Sequence, residues 1–227
     1  MTDRCYLALI PMLALAACGG KQETPRPPAA ASAPAAVPEP AKPADTRPVI
    51  VALGDSLTAG LGVEPGQAWP EVLQRILDRN GRKYRIVNQG ISGDTTSGGL
   101  ARIQAAVDLK PVVTILELGA NDGLRGLPVK STEENLARMI ERLQAGGSRV
   151  LLAGITLPRN YGPDYIRDFD RIFPAMEKKY KVARLPFLLE GVALDPALMQ
   201  RDALHPNAAG HERIANLVWK YLEPLLG

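Results

Sequence analysis

Cysteine, histidine and aromatic residues are all scarce in this chain of 227 residues, which has two cysteines, two histidines and 5% Phe, Trp and Tyr. Cys5 and Cys18 both precede the region that reads as folded, so the domain is expected to have no disulfide and no thiol nucleophile. His205 and His211 alone are too few for a zinc site, and no metal is expected. An excess of one charge is also missing, since 27 Lys and Arg stand against 24 Asp and Glu for a net +3. No basic stripe is interleaved with aromatics, which argues against a nucleic-acid partner. No GxGxxG follows the first strand-like run and no GxxxxGKS/T occurs, so dinucleotide and P-loop chemistry lose their main support.

What remains is a chain 46% hydrophobic and 22% charged, the profile of a soluble globular protein with one good-sized core. Residues 1–17 read as a secretion signal: Arg4 gives a basic start, offset by Asp3, and residues 6–17 are almost unbroken apolar sequence. The run is too short to span a bilayer by itself. Leu15-Ala16-Ala17-Cys18 resembles the lipobox of bacterial lipoproteins, and the resemblance implies cleavage before Cys18 and lipidation of that residue. An ordinary signal with a chance cysteine is the rival reading. Gly19 is not the aspartate associated with inner-membrane retention, so the expected location is the cell envelope, anchored in the outer membrane and facing the periplasm. Residues 18–47 form a linker rich in proline and alanine, a composition that cannot bury enough apolar surface to fold. Residues 48–227 are assigned to the domain.

Apolar runs of strand length occur at 49–53, 84–88, 112–118, 149–155 and 185–188. Helical periodicity covers 69–79, 97–108, 132–145 and 168–181, and a last helix is predicted over 207–225 with Asn207 as its N-cap. Alternating strands and helices imply right-handed βαβ units. The expected fold is α/β, a three-layer αβα sandwich of about five parallel strands in flavodoxin-like order. Ligands of such sheets sit beyond the carboxyl ends of the strands. Segments 54–60, 90–96 and 119–126, each rich in glycine and small polar residues, should therefore share one edge carrying Ser56, Gly93 and Asn121.

Gly54-Asp55-Ser56-Leu57-Thr58-Ala59-Gly60 follows the first apolar run without a gap, as a strand delivering a serine to a sharp turn would. If a helix begins there, its unsatisfied N–H groups favour a developing negative charge beside the hydroxyl. A plain turn explains the same residues. A nucleophilic serine needs a base. His205 lies in a loop, Asp202-Ala203-Leu204-His205-Pro206, just before the last helix, whereas His211 falls inside the helical pattern and reads as a packing residue. Asp202 is close enough in sequence to hold the imidazole tautomer. Candidate oxyanion donors are the backbone N–H groups of Ser56 and Gly93 and the amide of Asn121. Turn glycine and Asx-turn are the bland readings of the last two. Asp55 and Asp94 read as structural, satisfying backbone N–H groups at turns.

Together, Gly54-Asp55-Ser56-Leu57, Gly93, Asn121 and Asp202-x-x-His205 resemble the four sequence blocks of the SGNH (GDSL) hydrolases, across nearly the whole domain. Segments 91–95, 117–126 and 157–162 are similar to the bacterial branch of acyl thioesterases, arylesterases and lysophospholipases. The resemblance implies Ser56 as nucleophile, His205 as base and then acid, and Asp202 as its orienting partner. It further implies an oxyanion hole of Ser56, Gly93 and Asn121 and no cofactor. Ala120 stands where the family commonly has glycine, adding a methyl beside the acyl pocket while leaving the Asn121 donor intact. The expected function is a serine esterase acting on small lipid or aryl esters, lysophospholipids included, as a monomer tethered to a membrane through Cys18. A carbohydrate or peptidoglycan O-acetylesterase is the alternative enzyme, which the thioesterase-like segments disfavour. An inactive lipoprotein using the pocket as a binding module is the non-enzymatic alternative.

Overall fold

The computed structural model describes residues 45–227, so the signal sequence, Cys18 and nearly all of the linker lie outside the described residues. The elements in chain order begin with β1 (Val49–Gly54), α1 (Ser56–Ala59), α2 (Trp69–Arg79), β2 (Arg85–Gly90), α3 (Thr96–Ala101), α4 (Ile103–Val107) and β3 (Val113–Glu117). They continue with α5 (Ala120–Leu124), α6 (Val129–Ala145), β4 (Arg149–Ala153), α7 (Pro163–Asp170), α8 (Ile172–Tyr180), β5 (Ala183–Leu185) and α9 (Ala208–Leu222). Short 3-10 turns lie at Arg159–Tyr161 and Glu223–Leu225.

The five strands are all parallel in the order β2-β1-β3-β4-β5, the flavodoxin-like order expected. β1 and β3 are buried at every position, which explains their continuous apolar sequence: both faces of the sheet are covered. Helix α2 packs against α9, while α6 packs against α3, α4 and α8. Right-handed crossovers put these two groups on opposite faces. On α9 the buried stripe Ile214, Ala215, Val218 and Leu222 follows the 3.6-residue period. Each Leu or Ile so removed from water contributes about 1.5–3 kcal/mol.

The carboxyl ends of three strands are level, because Gly54 pairs with Gly90 of β2 and with Glu117 of β3. The loops that follow these strands therefore leave from one edge. Arg102 reinforces that edge by donating to the carbonyls of Gln89 at 2.8 Å and Gly54 at 3.0 Å.

Three elements differ from the sequence expectation. The helix predicted over 97–108 is interrupted at Arg102 (φ −105°, ψ 6°), the residue tied to both strand ends. The helix predicted over 168–181 begins earlier, at Pro163, and breaks at Arg171. Pro174 lacks the N–H that would bond the Asp170 carbonyl one turn back, so the two helices cannot run on as one. The fifth strand is Ala183–Leu185 rather than 185–188, because Pro186 cannot donate to a ladder. Asn207 caps α9 as expected, its side chain accepting from the Gly210 N–H at 3.1 Å.

Candidate active site

Ser56 is the first residue of α1, directly beyond the end of β1. Asp55 makes the short helix start there: its Oδ1 accepts from the Leu57 N–H at 3.0 Å, the capping role read from sequence. The strand behind is rigid and buried, so the hydroxyl of Ser56, a residue 8% exposed, is held at the edge of the sheet.

The His205 loop reaches Ser56 from the far end of the chain. Gln200 fastens it, its N–H donating to the His205 carbonyl at 2.7 Å and its amide to the carbonyls of Leu61 at 2.7 Å and Pro206 at 2.8 Å. Ala203 adopts φ +55°, a left-handed conformation uncommon for alanine. The reversal lets Asp202 Oδ1 accept from the Leu204 and His205 N–H groups, both at 3.0 Å. Asp202 Oδ2 then meets His205 Nδ1 at 2.6 Å, and His205 Nε2 meets Ser56 Oγ at 3.0 Å. Burial pushes the Asp202 carboxyl up, but hydrogen bonds from the His205 ring, the His205 backbone and the Leu204 backbone outweigh it and hold the group down at about 2. An anionic Asp202 accepts a hydrogen bond from the Nδ1–H and leaves Nε2 free to accept from the serine hydroxyl.

His211 takes no part in this path. It is fully buried, its Nδ1 accepts from the Trp69 N–H at the start of α2 at 3.2 Å, and burial lowers it to about 4. The packing reading of the sequence agrees with that position.

Asn121 lies in α5 beyond β3 and shares the cleft with Ser56. Its Nδ2 donates one hydrogen to Asp55 Oδ2 at 3.0 Å and keeps a second. Gly93 sits on the loop beyond β2 at φ +80°, and Arg125 grips its carbonyl at 2.8 Å. Asp122 ties the same two loops, accepting from the Thr96 N–H at 2.8 Å and the Thr96 hydroxyl at 2.5 Å. Asp94 pairs with Arg102 at 2.8 Å, not with a turn N–H as its sequence position implied. The cleft holds about 610 Å³ and is largely apolar, with Leu57, Leu124, Ile155, Leu157, Phe187 and Met199 in its wall. Ala120 is among the residues that line it.

Several supporting residues escaped the sequence reading. Glu117 carried a signal, since a carboxylate closing a continuous apolar strand is anomalous. Arg125 and Ala203 carried none, because an arginine in a polar loop and an alanine forced left-handed look ordinary in one dimension.

A Ser–His–Asp path at the carboxyl edge of a parallel α/β sheet is the arrangement of a serine hydrolase, and the family match places it in the SGNH class of ester hydrolases. Within that class the chain belongs to the GDSL-like Lipase/Acylhydrolase family, whose model matches residues 52–213. It is 46% identical over 178 residues to esterase TesA of Pseudomonas aeruginosa, covering 78% of this chain and 89% of the relative. It is 41% identical to thioesterase 1/protease 1/lysophospholipase L1 of Escherichia coli, covering 78% and 84%. A crystal structure of TesA superposes with a TM-score of 0.76 at 45% identity, over 78% of this chain and 99% of that one.

Proposed function

We propose that this protein hydrolyses lysophospholipids and small acyl or aryl esters through an acyl-enzyme on Ser56, as a monomer anchored to the outer membrane and facing the periplasm. The observation that carries the reading is the continuous path from Ser56 Oγ to His205 Nε2 at 3.0 Å and from His205 Nδ1 to Asp202 Oδ2 at 2.6 Å. His205 takes the serine proton as Ser56 attacks the ester carbonyl, then gives it to the departing alcohol. Water activated by the same ring releases the acid. The Ser56 and Gly93 N–H groups and the remaining Asn121 hydrogen are assigned to the oxyanion. An apolar wall of Leu57, Leu124, Leu157 and Phe187 suits an acyl chain better than an acetylated sugar. An exported location, read from the leader and Cys18, favours lipid and ester substrates over acyl-CoA.

The test is a hydrolysis panel of p-nitrophenyl esters, lysophospholipids and acetylated sugars on the purified domain, with Ser56→Ala as control. Turnover of the first two classes that vanishes in folded Ser56→Ala supports the reading. Preference for acetylated sugars assigns an O-acetylesterase instead. No turnover, with no labelling of Ser56 by a fluorophosphonate probe, assigns a binding module.

A further inference from the structure

Glu117 is a fully buried carboxyl at the catalytic edge that none of the steps above uses. It ends β3 level with Gly54, and its Oε2 accepts from the Asp55 N–H at 3.2 Å and the Thr58 hydroxyl at 2.7 Å. One oxygen therefore holds the residue before Ser56 and the second residue after it. Glycine at 54 is what allows this approach, because a Cβ there would collide with the Glu117 carboxyl and with Thr58. The other oxygen, Oε1, is buried and has no hydrogen-bond partner among the described residues.

Asp55 is buried beside it, with Oδ1 on the Leu57 N–H and Oδ2 on the Asn121 amide, both at 3.0 Å. Two neighbouring buried carboxylates cannot both ionise without a large penalty. Burial raises both groups, Asp55 to about 6 and Glu117 well above its ordinary range. The neighbouring Asp55 charge raises Glu117 further. Glu117 is thus the member that keeps a proton. Among the described residues neither carboxyl is in a salt bridge, and the nearby Arg102 is engaged by the Gly54 carbonyl and Asp94.

We propose that Glu117 is a positioning residue that stays a neutral acid, donating a hydrogen bond to Asp55 while its other oxygen pins the turn carrying Ser56. Asp55 stays anionic with Oδ2 fixed on Asn121, so one buried group sets the nucleophile and the amide donor relative to each other. A proton on Oε1 shared with the neighbouring Asp55 carboxyl gives that orphaned oxygen the partner it otherwise lacks. The inference rests on the roles of Ser56 and Asn121 proposed above.

Glu117→Gln and Glu117→Leu separate this role from packing. Glutamine reproduces both halves of the device, an oxygen for the Asp55 N–H and Thr58 and an N–H for Asp55. It is expected to keep kcat within about threefold of wild type. Leucine fills the space with neither, and the misplaced donors are expected to lower kcat about 10- to 100-fold with KM little changed. Infrared difference spectra at pH 8 should show a protonated-carboxyl C=O stretch that Glu117→Gln abolishes. The proposal is overturned by any of three results: a glutamine variant as slow as leucine, a leucine variant with wild-type kcat, or no protonated-carboxyl band in wild type. Should the leucine variant fail to fold, the glutamine variant and the spectrum decide. Full turnover in folded Ser56→Ala would instead remove the underlying reading, whatever the Glu117 variants do.

Discussion

Asn121 commits one amide hydrogen to Asp55 and has a second for the oxyanion role proposed for it, so truncating it tests charge stabilisation with little cost to the fold. Asn121→Ala is expected to lower kcat by about 10²–10³ with a nearly unchanged melting temperature. Steady-state kinetics beside calorimetry checks this, and an unchanged kcat would remove Asn121 from the oxyanion hole. His211 makes the opposite kind of prediction, about stability alone. Burial lowers its folded value to about 4 from 6.5, so the unfolded chain takes up the proton first. Its contribution is therefore complete above pH 6.5 and falls away as pH drops toward about 4, by on the order of 2–3 kcal/mol. Unfolding free energies measured across that window should show a flatter slope in His211→Gln. An identical slope in both proteins would contradict the burial argument. At this scale the sequence supplied Ser56, Asp202, His205, Gly93 and Asn121 as candidates, while Ala203 and Arg125 stayed hidden because their function lies in a backbone angle and a carbonyl contact across loops.

Among the elements, the junction of β2 with α1 is the tightest test of the sheet edge. A Cβ at Gly90 would run into the backbone of Ala59, where no side chain can move aside. Gly90→Ala is expected to destabilise the domain by about 1–3 kcal/mol and to lower kcat as α1 and Ser56 are displaced. Wild-type thermal stability and kinetics would show that the edge yields more readily than its packing indicates. Strand and helix identities were legible because buried parallel strands are continuously apolar and helices are periodic. Their interruptions were not: the pattern runs straight through Arg102 and Arg171, and the causes are a side chain reaching two strand ends and the missing N–H of Pro174.

For the whole molecule, the proposed tether and the hydrolytic domain should be separable. In the full-length protein Cys18→Ala is expected to move the enzyme from the membrane to the soluble fraction, while turnover of a p-nitrophenyl ester per mole stays constant. Cell fractionation with mass analysis of the N-terminal peptide reads this, and continued membrane association of Cys18→Ala would exclude a lipid anchor at that residue. By itself the sequence determined the α/β class, the glycine-rich loops after the first three strands and the opening segment in which Ser56 follows the first strand, because these follow from local periodicity and turn chemistry. Tertiary structure alone decided that His205, 149 residues away, comes within 3.0 Å of that serine, and that Asp55 and Glu117 form one buried pair behind it. Both depend on strand register and burial, quantities that exist only once distant segments are packed together.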